Sequence, residues 1–134
     1  MDVSDLRRQH QEILQLTETM SRMLTKEDLP TKALDVSLKL GELSGKISIH
    51  LANEDKVVYP ILLEFPDDRV RATARRFVDE MGSLAGAFAG YKNKYLSATR
   101  IKANPVAFIE ETKSISAALR KRIELEEKEL YPLL

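Results

Sequence analysis

An all-α fold, an antiparallel up-down bundle of four helices, is what these 134 residues predict. Apolar side chains recur at steps of three and four along most of the chain, the spacing that gathers them on one face of a helix. Strand signals are scarce, with aromatic residues at only 6% and few alternating apolar–polar runs. Short connections bearing caps or prolines separate the periodic stretches, which favours antiparallel neighbours.

The first helix carries Leu6, His10, Ile13, Thr17, Met20 and Leu24 on its stripe. Ser4 or Asp2 can cap its start, and "KEDLP" closes it. A second helix opens near Pro30, a favoured first-turn residue, and lines up Leu43, Ile47, His50, Glu54 and Val57. "EFPDD" is a stop and restart, with Asp67 or Asp68 as cap. The third helix runs through Phe77, Met81, Leu84, Phe88, Tyr91 and Tyr95. In "ANP", Asn104 caps and Pro105 begins a fourth helix, whose stripe is Phe108, Thr112, Ile115, Leu119, Arg122, Glu126 and Leu130. No linker or low-complexity segment divides residues 1–134, so a single domain is expected.

Composition narrows the function. Twenty-one basic and 21 acidic residues cancel, which removes an electrostatic case for nucleic acid or an anionic membrane as partner. The most apolar run, "VVYPILL", is too short to cross a bilayer, and "MDVSDLRRQH" has no signal-like apolar stretch. A soluble, cytoplasmic protein is expected. With no cysteine, thiolate metal sites and disulfides are impossible. No nucleophile–base pair, phosphate loop or basic recognition helix is evident.

The stripes hold residues that a dry core should reject. Burying a carboxylate such as Glu54 is costly unless something compensates it. The same pattern occurs twice. "HLANEDKVVYP" (residues 50–60) and "RIELEEKELYP" (residues 122–132) share their length, a glutamate at the fifth position and a terminal Tyr-Pro. "QHQEI" around His10 matches "EMGSL" around Met81 more loosely. The chain reads as a duplicated helix pair, with polar core positions His10, His50 and Glu54 in one half and Met81, Arg122 and Glu126 in the other.

A helix-borne histidine followed by a repeated His-x-x-x-Glu…Tyr-Pro pattern resembles the hemerythrin-like (HHE cation-binding) family, over essentially the whole chain. The resemblance implies a four-helix bundle with a non-haem di-iron centre. It implies iron ligation by His10, by His50 with Glu54, and by Glu126, the two carboxylates bridging the irons. Two positions depart from the family pattern. Met81 and Arg122 stand where the third and fourth helices should supply histidines, which makes the site a degenerate one. Glu80 beside Met81 is turned about 100° away around the helix.

Methionine sulfur suits hard iron poorly, and arginine has no lone pair to give a metal. The four remaining donors (His10, His50, Glu54 and Glu126) can hold one ion, iron first, with zinc or manganese as alternatives. Arg122 would then replace the charge of the absent second ion. Equally, Arg122 can pair with both glutamates in a metal-free network completed by the histidines, leaving an interaction or regulatory module. The sequence leaves both open. It points to cation binding or sensing, with a small ligand such as dioxygen reaching the ion, rather than to an enzyme or a di-iron dioxygen carrier.

Other residues take plain roles. Tyr59 and Tyr131 are expected at helix ends with their hydroxyls at the surface, Met20, Met23 and Met81 as core filler, and "EEKE" as a solvated face apart from Glu126. The five glycines fall at four-residue steps, Gly41 and Gly45 on the second helix and Gly82, Gly86 and Gly90 on the third, opposite the core stripes. Small, partly apolar outer faces of this kind suggest a homodimer.

Overall fold

The computed structural model describes residues 1–134 and is wholly helical. Helix α1 spans Ser4–Ser21. Helix α2, Leu29–Asn53, runs on through a π turn, Glu54–Val58, into the short α3, Tyr59–Leu62. Helices α4 (Asp68–Met81) and α5 (Leu84–Lys94) form the third rod, and α6 (Ala98–Ala103) fills the next connection. Helix α7, Pro105–Leu125, passes through a second π turn, Glu126–Leu130, and ends in a 3₁₀ turn, Tyr131–Leu133. No helix is long and apolar enough to cross a membrane.

Local chemistry sets the boundaries. The Asp2 carboxylate accepts from the Ser4 amide at 2.9 Å, satisfying a donor at the start of α1. Asp67 accepts from the Arg69 amide at 2.8 Å, and Asn104 from the Ala107 amide at 3.2 Å ahead of Pro105. The expected continuous third helix is instead broken at Gly82–Ser83. There the chain tightens so far that a Cβ on Gly82 would lie 2.5 Å from the Val78 carbonyl oxygen, which makes glycine necessary at the break. The short α6, which the periodic stripes do not announce, buries Ile101 completely against α2.

Two apolar clusters fill the bundle. One gathers Ile13, Met20, Leu43, Ile47, Phe88, Phe108 and Leu119, and the other Leu6, Val58, Leu62, Val70, Phe77 and Leu130. Each fully buried side chain of this size contributes about 1.5–3 kcal/mol. In sequence, His10 sits between Leu6 and Ile13, Glu54 between Leu51 and Val58, and Glu126 between Ile123 and Leu130. The polar residues therefore form a layer sandwiched between two dry ones.

The two π turns were not visible as periodicity, and they correct two expectations. An extra residue in a turn rotates everything after it by one position. Val57, expected on the core stripe, is 50% exposed, and Val58 is buried in its place. Tyr59 and Tyr131, expected to reach the surface, point inward at 3% exposure each. In each turn the tyrosine amide bonds the carbonyl five residues back, Tyr59 to Glu54 and Tyr131 to Glu126. The prolines that follow explain why. Pro60 and Pro132 have no amide hydrogen, and in an unbroken α-helix their rings would collide with the carbonyls of Lys56 and Lys128. Widening the preceding turn removes that collision.

Candidate metal centre

His10 comes from α1, His50 from the last turn of α2, and Glu54 and Glu126 each open a π turn. The sequence names these four residues, and the structure brings them together: one ligand atom from each lies within 4.8 Å of all the others. His10 and His50 are 1% exposed and both glutamates 0%. The two imidazoles meet edge to face with centroids 4.7 Å apart.

Neighbours orient the rings. His10 donates its Nδ1 hydrogen to Glu127 Oε1 at 2.9 Å, and His50 donates its own to Gln9 Oε1 at 2.6 Å. The carboxylate and amide oxygens accept, which assigns the tautomers and leaves each Nε2 lone pair facing inward. There His10 Nε2 lies 3.1 Å from Glu126 Oε1, and His50 Nε2 lies 2.9 Å from Glu54 Oε1. Yet His50 Nε2 and Glu126 Oε1 make no hydrogen bond at all, although both are buried. These atoms are close without being aligned on one another. An unsatisfied buried polar atom costs about 1–3 kcal/mol, and here two lie in one cluster of ligand-type atoms.

The tyrosines cross the site. Tyr59 donates to Glu126 Oε2 at 2.6 Å, and Tyr131 donates to Glu54 Oε2 at 3.2 Å, its hydroxyl also 3.3 Å from His10 Nε2. Each half of the chain thus supplies the phenol that holds the other half's carboxylate. Arg122 follows the same exchange. Its Nη2 donates to Asp55 at 2.7 Å and reaches Glu54 only at 3.4 Å, while Nε lies 3.4 Å from Glu126. Its Nη1 donates to the carbonyl of Met81 at 3.4 Å, at the end of α4. Met81 itself is buried in the second apolar cluster.

Three contributors escape the sequence reading: Gln9, Asp55 and Glu127. Glu127 belongs to the "EEKE" stretch expected to be solvated; at 26% side-chain exposure it bridges His10 and Arg7 instead. The duplication held a signal. Asp55 and Glu127 occupy equivalent positions, each directly after a core glutamate, and each supports the group that occupies the metal-facing position of the opposite half.

Charge is poorly balanced in this layer. Burial, and then the charge of Glu54, push the Glu126 carboxyl up to about 7. Burial, followed by the neighbouring His10, brings His50 down to about 4, so its imidazole is neutral. Burial also opposes charge on His10, but Glu126 and then Glu127 outweigh it and raise its pKa. Arg122 is likewise penalised by burial, and Glu126, Glu54 and Asp55 overcome that penalty and hold it charged. Tyr59 and Tyr131 are raised by burial and by the two carboxylates, and stay protonated donors.

A family model of the hemerythrin HHE cation-binding domain matches residues 1–134, the whole chain. The chain belongs to the hemerythrin HHE cation-binding domain family. No curated protein and no solved structure matches it significantly. Within the hemerythrin family frame, cation binding is the chemistry to test against these residues. Two imidazoles, that of His50 neutral, and two carboxylates with converging, partly unpaired donor atoms fit a cation. The other half of the layer offers no such set, because Met81 and Arg122 occupy it.

Proposed function

We propose that this hemerythrin-family protein binds a single metal ion between His10, His50, Glu54 and Glu126, iron in the first instance, and acts as a cation-binding or sensing module without catalysis. The observation that carries this reading is the pair of unpaired buried atoms, His50 Nε2 and Glu126 Oε1, inside the four-residue cluster. A bound ion supplies positive charge and an open coordination position for a small ligand such as dioxygen. The chain's own residues do the rest: Glu127 and Gln9 fix the imidazole tautomers, Tyr59 and Tyr131 steady the carboxylates, and the apolar layers exclude water.

Arg122 supports a stoichiometry of one. Its fixed charge lies beside both glutamates, where a second cation would be repelled. A metal-free reading draws on the same residue, since Arg122 reaches Glu54, Glu126 and Asp55. The two separate by metal analysis of protein purified from iron-supplemented cells and by titration of the stripped protein with ferrous, manganous and zinc ions. One ion per chain, lost in His50→Ala and in Glu126→Gln, is the expected result. No retained or titrated ion refutes the metal reading in favour of the Arg122 network, and two ions refute the role given to Arg122.

A further inference from the structure

Helix α2 is apolar on two faces. Its inner face packs in the core, and its outer face carries Leu34, Leu38 and Ile49 at 63%, 64% and 71% exposure. Between them lie Gly41, Gly45 and Ser48, so no charge interrupts the stripe over about 23 Å of helix. A groove lined by Gly41, Gly45, Ile49 and Leu96, with small serines between them and Lys92 at its edge, runs beside it, and Leu96 is also 62% exposed. Gly86 and Gly90 line a different groove on the other side of α5, and Gly82 is taken up by the helix break. The five glycines therefore do not form one surface. Only α2 joins a glycine groove to exposed leucines.

We infer that this face is a homodimer interface in which α2 of one copy crosses α2 of a second copy antiparallel, centred on Gly41. In this register the ridge of Leu34 and Leu38 falls into the second copy's groove. Leu38 lies over Gly45, and Leu34 meets Ile49 and Leu96. Packing i±4 ridges into grooves is a favoured way for helices to cross, and glycine allows close approach. A two-fold axis repeats each contact, as an isologous interface requires.

Charge selects the same register. One flank of the stripe carries Asp35, Lys39, Glu42 and Lys46 in alternating sign. Within the chain Lys46 partly engages Glu12 at 3.4 Å and Lys39 partly engages Glu42 at 3.9 Å, yet all four still reach solvent. Antiparallel pairing about Gly41 sets Lys39 opposite Glu42 and Asp35 opposite Lys46 of the second copy. A parallel two-fold would turn this flank of one copy away from the same flank of the second, losing these pairs, and would set leucine against leucine. The fold does not need these glycines for space: a Cβ on Gly41, Gly45, Gly86 or Gly90 meets nothing within 4 Å.

Sedimentation of the full chain over a micromolar concentration series tests the inference. The wild type should be dimeric. Gly45→Leu and Leu38→Glu should each weaken the dimer by more than about tenfold with unchanged helical circular dichroism, and Gly86→Leu should leave it intact. Lys39→Glu should weaken it, and adding Glu42→Lys should restore it. A wild type monomeric throughout overturns the proposal. So does a dimer that survives Gly45→Leu and is lost in Gly86→Leu, or a double reversal that fails to recover what the single one lost. None of these outcomes depends on whether metal is bound.

Discussion

Replacing Glu126 by glutamine should make the metal-stripped protein more stable, not less, and only above a definite pH. The Glu126 carboxyl titrates near 7 in the fold against an ordinary 4.5, so between those values the folded chain holds a proton that the unfolded chain has released. The contribution of this group to stability is therefore greatest below 4.5 and is lost as pH rises through 7. Over that span the loss is about 3 kcal/mol, at 1.36 kcal/mol per unit, as an upper bound. Glutamine keeps the shape without the charge. Its oxygen can accept from Tyr59, and its amide can donate to His10 Nε2, which lies 3.1 Å from the atom it replaces. Some gain is returned, because Glu126 also supports the raised pKa of His10.

The expected result in chelator at pH 7.5 is a variant about 1–3 kcal/mol more stable than wild type, some 5–12 °C in melting temperature for a chain of this size. The advantage should shrink toward zero near pH 4.5. Urea denaturation across pH, followed by circular dichroism, measures it. The same substitution should abolish metal uptake. A stability gain coupled to a binding loss is the mark of a carboxylate kept for a ligand at the expense of the empty fold. A variant less stable at pH 7.5, or a difference that does not change with pH, would show that Glu126 is already neutralised by its neighbours and would refute the reasoning.

Arg122→Met should cost about 3–5 kcal/mol in chelator, since it strips the only fixed cation from two buried carboxylates, and added metal should recover more stability than it gives the wild type. Tyr59→Phe should destabilise more than Tyr131→Phe, the first losing a 2.6 Å bond to a carboxylate and the second a 3.2 Å one; paired denaturation curves rank them. Deleting Val57 together with Pro60→Ala should turn the first π turn into regular helix with Tyr59 and Leu62 still inward, so the melting temperature and metal uptake should hold, whereas deleting Val57 alone should cost about 3 kcal/mol. No tyrosine should ionise near pH 10 in the folded protein. Burial holds Tyr91 and Tyr95 up to about 12, so phenolate absorbance should stay flat to beyond pH 10, with their stabilising contribution lost only between 10 and 12. A folded-state titration at 10 would refute that burial.

What the sequence shows and hides divides along the helical repeat. Spacing of 3.6 residues per turn, with caps at Asp67 and Asn104 and proline at Pro105, placed the rods and put His10, His50, Glu54, Arg122 and Glu126 on inward stripes. Those residues precede the π turns or stand at their first position, so their facing was legible. Beyond Glu54 and Glu126 the repeat changes: Val57, expected inward, is exposed and Val58 buried in its place, and Tyr59 and Tyr131 turn inward rather than outward, while Leu130 is buried as its stripe predicts. The break at Gly82 was hidden for a related reason: a stripe that resumes in phase at Leu84 looks continuous in sequence. Gln9, Asp55 and Glu127 were missed because each sits one residue from a member of the buried His–Glu cluster, on a helix edge that periodicity assigns to solvent. The duplication is what reaches past these limits. Two halves that each repeat Glu, an acid, then Tyr-Pro must bring equivalent groups to a shared axis. A phenol from one half then meets the carboxylate of the other, whereas the acids after the core glutamates break the pattern, Asp55 meeting Arg122 but Glu127 meeting His10 instead of His50. Read as a pseudo-two-fold pattern rather than as two helices, the Tyr-Pro ends belong to the site, and the asymmetry between His50 and Arg122 becomes its defining chemistry: one half offers ligands, and the other supplies a fixed positive charge.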